Sequence, residues 1–205
     1  MSESIFNDDG QTEVKQTWIT SYADMVTILL IFFIIMISPQ AVVSESQKKN
    51  MEKLKESLQE LVKNSKEKGL EDMVGVEQNG NTARITLKNS LLFDSGSADI
   101  SDDKRKNLQV IIMSLKSIST SHTFRIQGYT DSVPITSNHY KSNWHLSTDR
   151  ALSILDVFIE NGFEQKNLSA QGFASFRPLV AERDTEGHDL PNNRALNRRV
   201  EIHIK

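Results

Sequence analysis

The chain divides into three stretches that differ in how apolar and polar residues alternate. The first, Ile19 to Ile37, is almost continuously apolar, and Thr27 is its only polar residue after Asp24. Nineteen helical residues at 1.5 Å each extend about 28 Å, close to the thickness of a bilayer's hydrocarbon core. We therefore predict a transmembrane helix over residues 18–38, preceded by a polar tail of residues 1–17.

One charged residue, Asp24, lies inside this predicted membrane helix. A carboxylate there costs about 2.5–3.5 kcal/mol on insertion scales, and such residues mark ion or proton paths. If the helix crossed the membrane only from Met25, Asp24 would merely cap it, but the remaining residues are too few to cross. Trp18 and Tyr22 also form a better aromatic belt one turn earlier. We therefore predict an ion-coupling role for Asp24.

The second stretch, residues 39–70, is a predicted helical linker with seven Lys and five Glu between Ala41 and Leu70. Pro39 predicts an end or a kink of the membrane helix. Four apolar residues follow the 3-4-3 spacing of a helical seam: Met51, Leu54, Leu58 and Leu61. Two heptads are short for a coiled coil, so the seam fits either a solvated amphipathic helix or a pair of parallel linkers.

The third stretch, residues 71–205, alternates strand-like and helix-like patterns. Two strands flank Asn79-Gly80-Asn81, which is typical of a hairpin. One helix is predicted from Ser101, with two Asp residues in its first turn, and a second from about Ser147 to Asn161. Further strands are predicted over residues 124–128, 168–172 and 200–205. These elements predict an α/β domain in which helices pack on a mixed sheet.

The run Trp18-Ile-Thr-Ser-Tyr22-Ala23-Asp24-Met25 resembles the membrane helix of MotB-type stator proteins, which include flagellar B subunits and ZorB of the Zorya anti-phage system. The resemblance implies a homodimer inside a pentameric ring of MotA- or ZorA-type A subunits. It implies that Asp24 accepts and releases the driving ion, H⁺ or Na⁺, with no other cofactor. It also implies a plug that closes the channel before assembly, for which residues 41–51 are the candidate.

Five blocks of the third stretch resemble the OmpA-like peptidoglycan-binding domain, over Leu91 to Lys205. In order, the blocks are Leu92–Ala98, Gly128–Asp131, Asn143–Ala151, Gln171–Phe173 and Asn197–Glu201. The implied ligand is the diaminopimelate stem of peptidoglycan, whose free end carries an ammonium and a carboxylate on one carbon. A site for this zwitterion needs one acid and one fixed cation close together.

The resemblance assigns these two charges to Asp131 and Arg150. Asp131 would accept a hydrogen bond from the ammonium, and Arg150, in the first turn of the second helix, would bind the carboxylate with its planar guanidinium. The implied lining residues and additional donors are Thr130, Asn143, Leu146, and Arg198 or Arg199. The alternative is that Asp131 and Arg150 form a purely structural ion pair. Some family members carry a ligand-contacting side chain where Gly96 stands here, so Ser95 or Ser97 would have to replace that contact.

Composition adds limits on partners and compartment. A net charge of −3 does not favour a nucleic-acid partner, and a chain without Cys suits the periplasm and the cytoplasm equally. Catalysis and metal binding are not predicted, because the five His are scattered and no metal-ligand spacing occurs. The lysines after the membrane helix outnumber the single Lys15 before it, which by the positive-inside rule would place the domain in the cytoplasm. We follow the resemblance instead: a single-pass inner-membrane protein with a cytoplasmic N-terminus and a periplasmic domain.

Together these features predict the B subunit of an ion-driven, peptidoglycan-anchored rotary complex. The linker of some thirty residues is shorter than in most flagellar members, so a flagellar stator and a Zorya-type defence motor are both compatible with the sequence. The alternative from another class is a passive tether between inner membrane and cell wall. Asp24 separates these classes, because a tether needs no carboxylate in the membrane.

Overall fold

The computed structural model describes residues 9–41, 45–136 and 139–205, with no description of the side chains of residues 9–17 and 37–41. The chain forms two compact units that divide at residue 45. Two sequence predictions fall partly outside the described residues: the start of the N-terminal tail, residues 1–8, and positions 42–44 of the candidate plug.

The described part of the first unit is one helix, α1 (Asp9–Ala41), which continues past Pro39. Its segment Trp18–Met36 has a mean hydropathy of 2.1 and is long and apolar enough to cross a membrane. Every side chain of that segment is exposed. A helix that is apolar on all sides is unfavourable in water and stable in lipid.

The second unit contains a five-stranded sheet, in the order β1-β2-β5-β3-β4, with helices in the connections. Its elements in chain order are α2 (Glu45–Glu67), β1 (Val74–Asn79), β2 (Thr82–Lys88), α3 (Asn89–Leu92), α4 (Asp102–Ser114), β3 (Phe124–Tyr129), α5 (Asn143–Glu160), β4 (Leu168–Gly172), α6 (Pro191–Asn197) and β5 (Arg199–Ile204). Strand β4 is parallel to β3, and the other neighbouring strands are antiparallel. The predicted hairpin is confirmed, with Gly80 at φ 57° in its two-residue turn.

Alternating apolar residues of the central strands turn one face of the sheet toward the helices. Ile85 of β2 pairs with Ile202 of β5, which pairs in turn with Ile126 of β3, and all three are fully buried. Helix α5 lies very close to β3 at Gly128, where an added Cβ would stand 2.0 Å from the carbonyl oxygen of Ser147. Only glycine permits this approach, which brings the start of α5 next to the end of β3.

Helix α2 belongs to this folded unit. Three of its four seam residues lie in the common hydrophobic core: Leu54, Leu58 and Leu61. The hydroxyls of Ser57 and Ser117 lie 2.7 Å apart, and the Asn64 amide donates to the Ser114 hydroxyl at 2.9 Å. Of the two alternatives for this seam, the pairing of two linkers is contradicted, because its leucines are already buried within their own chain.

Helix α5 begins four residues earlier than predicted. Its N-cap is Ser142, whose hydroxyl accepts from the backbone N–H of His145. Asn143 is consequently the first helical residue. The prediction that Arg150 lies in the first turn is wrong, because it lies two turns into the helix. The partial positive charge of the helix start is therefore at Asn143 and not at Arg150. Two short helices, α3 and α6, were not predicted.

Candidate functional site

A cleft of about 880 Å³ lies at one end of the central strands. Strands β2 and β3 finish at this end of the sheet, and β5 begins there because it is antiparallel to both. The segments that border these strand ends, together with α5, therefore converge on the cleft. Six of the seven residues predicted for the peptidoglycan site line it: Thr130, Asp131, Asn143, Leu146, Arg150 and Arg198.

Arg150 is a cation held in the cleft wall with only 2% of its surface exposed. Its Nε donates to the carbonyl oxygen of Ser97 at 2.8 Å, and its guanidinium carbon lies 5.3 Å from the centre of the Phe93 ring. Burial lowers the pKa of Arg150 to about 10, so the group stays charged at neutral pH. Within the described parts of the chain, no carboxylate forms a salt bridge with it. An unpaired buried charge is strongly destabilising, so the cleft favours an anionic ligand.

Asp131 pairs with Arg198. Its Oδ2 lies 2.6 Å from Nη1 of Arg198, with 12% of the aspartate side chain and 40% of the arginine side chain exposed. The alternative structural pair of Asp131 with Arg150 is therefore not formed. The cleft therefore holds one acid, Asp131, and one buried cation without a carboxylate partner among the described residues, Arg150, and these two charges are complementary to a ligand that has both an ammonium and a carboxylate.

Asn143 and Thr130 shape the loop that follows β3. The Asn143 side chain accepts from the N–H of Ile135 and donates to the carbonyl oxygens of Asp131 and Val133 at 3.2 and 2.9 Å. The Thr130 hydroxyl donates to the carbonyl oxygen of Asp131 at 3.0 Å. With these polar groups already bonded to the backbone, both residues hold Asp131 in place at the cleft.

Of the two candidate arginines after α6, the structure brings only Arg198 to the cleft. Arg199 is the first residue of β5 and lies on the sheet face opposite the helices. Its Nε is 2.7 Å from Oε1 of Glu201, and its guanidinium carbon is 3.9 Å from the centre of the Tyr129 ring. His203 contacts the other oxygen of Glu201 at 2.8 Å. Burial alone would raise the pKa of Glu201, but hydrogen bonds from His203 and Arg199 hold it at about 2.

The ligand contact that some family members make at the position of Gly96 has a partial substitute in this chain. Gly96 borders the cleft with φ 69°, a conformation that favours glycine, and Ser95 lines the cleft beside it. The Ser97 hydroxyl accepts from the N–H of Asp99 and contributes to the local turn. Among the two candidates, Ser95 is therefore the residue placed to contact a ligand.

Sequence reasoning missed several lining residues, among them Asn89, Phe93 and Arg194. Phe93 stands inside the first OmpA-like block, so its ring could have been assigned from that motif. Asn89 begins α3, and its buried Oδ1 has no hydrogen-bond partner among the described residues. Asn89 and Arg194 lie on the two unpredicted short helices, so no sequence signal pointed to them.

In the first unit, Asp24 is the only charged residue between Trp18 and Met36. The Thr27 hydroxyl donates to the Asp24 carbonyl oxygen at 2.7 Å, and this contact leaves the carboxylate uninvolved. No basic side chain in the described residues forms a salt bridge with that carboxylate.

Two family models match the chain. Residues 92–194 match the model described as the OmpA family, which covers half of the chain, and residues 7–61 match the model described as membrane MotB of the proton-channel complex MotA/MotB. The chain is a MotB-type member of the OmpA family. The predicted family is thereby confirmed, and neither model is one of a catalytic family.

The relatives of this MotB-type chain include motility proteins. Motility protein B of Bacillus subtilis is 32% identical over 78% of this chain, and Motility protein B of Helicobacter pylori is 27% identical over 62%. The chain spans only 58% and 48% of their respective lengths. The uncharacterized protein YtxE of B. subtilis is 25% identical, with 97% of this chain and 93% of YtxE covered.

Solved structures of the same fold confirm the predicted fold class. The cell wall anchor of the T6SS from Pseudomonas aeruginosa is 27% identical, with a TM-score of 0.61, over 70% of this chain and 95% of the anchor. The periplasmic domain of H. pylori MotB is 26% identical, with a TM-score of 0.56, over 64% of this chain and 81% of that domain. A mixed-sheet, OmpA-like domain follows an apolar N-terminal helix in this chain.

Proposed function

We propose that this chain is the B subunit of an ion-driven stator complex in the bacterial inner membrane, anchored to peptidoglycan by its C-terminal domain. One observation carries the proposal: each unit holds a charge with no salt-bridge partner among the described residues. The first is the carboxylate of Asp24 on a membrane-length apolar helix, and the second is the buried guanidinium of Arg150 in the cleft. Each is costly unless another molecule compensates it.

In the cleft, the complementary molecule is the diaminopimelate end of a peptidoglycan stem. Its carboxylate binds the guanidinium of Arg150, whose planar N–H groups suit a carboxylate. Its ammonium binds Asp131, whose second oxygen, Oδ1, has no hydrogen bond to the described residues. Arg198 stays on Oδ2 of Asp131. Each charge of the ligand then meets an opposite charge in the cleft.

In the membrane, the complementary parts are a driving ion and a MotA-type A subunit. Two copies of α1 stand inside a pentameric ring of A subunits, with the N-terminus in the cytoplasm and the domain in the periplasm. Asp24 takes up and releases the ion, and each unit charge that crosses 100 mV releases about 2.3 kcal/mol. The description of the matching family as a proton-channel complex favours H⁺ over Na⁺.

The relatives favour motility as the purpose of the motor, because two of them are named Motility protein B. Anti-phage defence of the Zorya type is the other use of such a motor. A second candidate function is a passive tether, and the fold similarity to a cell wall anchor favours it. A tether would leave Asp24 without a role.

The test replaces Asp24 with Asn, which keeps the size of the side chain but removes its charge. We expect Asp24→Asn to reach the membrane and bind peptidoglycan while proton flux and swimming disappear. The matched control is Asp72→Asn, the same change at an exposed position of the domain, which should leave both activities intact. Full activity of Asp24→Asn would contradict ion coupling and support the tether, whereas loss of phage protection in place of swimming would identify a defence motor.

A further inference from the structure

Glu182 lies in the loop between β4 and α6, and its carboxylate joins two segments of the cleft wall. Oε2 accepts from the backbone N–H of Ser132 at 3.0 Å and also from the Ser132 hydroxyl. Oε1 accepts from the side-chain amide of Asn197 at 2.8 Å. The carboxylate therefore connects the loop after β3 to the end of α6.

The two residues that Glu182 holds are chain neighbours of the charged pair in the cleft. Ser132 directly follows Asp131, and Asn197 directly precedes Arg198. Asp131 and Arg198 are themselves 2.6 Å apart. Glu182 thus forms a second connection, parallel to that ion pair, between the same two segments.

Asn197 makes this connection rigid. Its side chain is completely buried, and its Oδ1 accepts from the N–H groups of Leu179 and Val180 at 2.8 and 3.1 Å. The backbone oxygen of Glu182 accepts from the N–H of Leu190 at 2.8 Å. The loop that carries Glu182 is therefore fixed at both of its ends.

Glu182 itself is poorly suited to contact a ligand, because both of its oxygens already accept hydrogen bonds. Burial alone would raise its pKa, but the bonds from Ser132 and Asn197 outweigh burial and hold the pKa below the usual value. The carboxylate therefore stays ionised at neutral pH and keeps accepting from both segments.

We propose that Glu182 is a positioning residue that sets the separation of Asp131 and Arg198 in the peptidoglycan cleft. This inference rests on the proposed wall-binding function. Without Glu182, the two segments lose the hydrogen bonds of Ser132 and Asn197 to a shared carboxylate. With it, the segments keep their spacing, so Arg198 stays on Oδ2 of Asp131 and Oδ1 remains available to the ligand's ammonium.

The test compares Glu182→Ala and Glu182→Gln with Asp184→Ala in the full chain in detergent micelles. Asp184 is the matched control, because its carboxylate also accepts backbone N–H groups in the same loop, from Glu186 and His188, but does not contact the residues beside Asp131 and Arg198. Sedimentation with purified diaminopimelate-type peptidoglycan gives the affinity. We expect about tenfold weaker binding for Glu182→Ala, by analogy with other residues that orient a ligand-binding group. Glu182→Gln keeps one acceptor oxygen and should lose less.

Two further measurements separate positioning from general destabilisation. Combining Glu182→Ala with Arg198→Ala should weaken binding by less than the product of the two single effects, since Glu182 acts through that arginine. The ¹⁵N signals of the Arg198 guanidinium, recorded without ligand, should broaden in Glu182→Ala and not in Asp184→Ala. If the unmutated chain fails to bind peptidoglycan, the proposed function falls, and the guanidinium signals alone decide the positioning role. The positioning role would be overturned if the signals and the affinity of Glu182→Ala equalled those of Asp184→Ala. It would also be overturned if the double variant lost the full product of the two single losses in affinity.

Discussion

Two charged clusters of the domain use the same residue types in opposite ways. The sheet-face cluster consists of Arg199, Glu201 and His203, and its carboxylate is bonded on both oxygens. The cleft cluster consists of Asp131, Arg198 and Arg150, and Arg150 is buried with no carboxylate of the described residues bonded to it. A buried charge that is fully compensated serves the fold, whereas one that is not compensated indicates a place for a ligand.

The clusters also differ in how the chain assembles them. The sheet-face residues alternate along one strand, β5, so they share a face by the two-residue period of a strand. Tyr129 of the neighbouring strand β3 lies against Arg199. The Phe173 ring stacks on the Tyr129 ring, with 5.4 Å between the two ring centres. The cleft cluster joins the loop after β3, the third turn of α5 and the end of α6. Only the folded domain brings these segments together.

Both clusters lie in one domain, and the core of that domain includes α2. Removing α2 should therefore have the largest effect on folding. A chain that begins at Glu71 lacks the three core leucines of α2. Each large-to-small loss in a core costs about 2–5 kcal/mol, and the stability of a whole domain is about 5–15 kcal/mol. We expect this truncated chain to be largely unfolded by circular dichroism. A chain that begins at Ser46 is the control and should melt cooperatively; equal melting of the two would place α2 outside the core.

Breaking the sheet-face cluster should reduce stability without reducing binding. We expect Glu201→Gln to lower the free energy of unfolding by about 3 kcal/mol at pH 7, because it leaves Arg199 buried without its counter-charge. The pKa of Glu201 is about 2 in the folded chain, below its value in the unfolded chain. Its stabilisation is therefore present above pH 4.5 and lost as the pH falls toward 2. Urea unfolding at pH 7 and pH 3 measures both effects, and the difference between unmutated chain and Glu201→Gln should shrink at pH 3. A constant difference would contradict the assigned cause.

Local patterns in the sequence were enough to predict most of the fold. The hairpin at Gly80 and the helix after Ser101 have clear turn and capping residues, and both are confirmed. The start of α5 was misplaced because Ser142 and Ser147 are both acceptable N-caps, and tertiary contacts of Asn143 with the preceding loop select the earlier one. The leucines of α2 were predicted with the right spacing, but spacing alone cannot say which surface a helix face contacts.

The cleft could be predicted only in part. Asp131 and Arg150 lie in motif blocks, so the resemblance placed them in one site. Arg198 and Arg199 are adjacent in sequence, and their opposite destinations depend on where β5 begins. Glu182 stands in a loop with no motif, and its contacts with Ser132 and Asn197 join positions 50 and 15 residues away. Such long-range hydrogen bonds leave no local pattern in a sequence.

One matched pair of variants tests the central claim, that the cleft cluster binds and the sheet-face cluster stabilises. Arg150→Met and Arg199→Met make the same change in both clusters, and Met fills most of the volume of the arginine side chain. Melting and sedimentation with purified peptidoglycan are measured on the same samples. Arg150→Met should melt at or above the temperature of the unmutated chain and lose about 2–5 kcal/mol of binding free energy. Arg199→Met should melt at a markedly lower temperature, and its folded fraction should bind normally. Normal binding by a stable Arg150→Met, or equal loss of stability in both variants, would contradict the assignment.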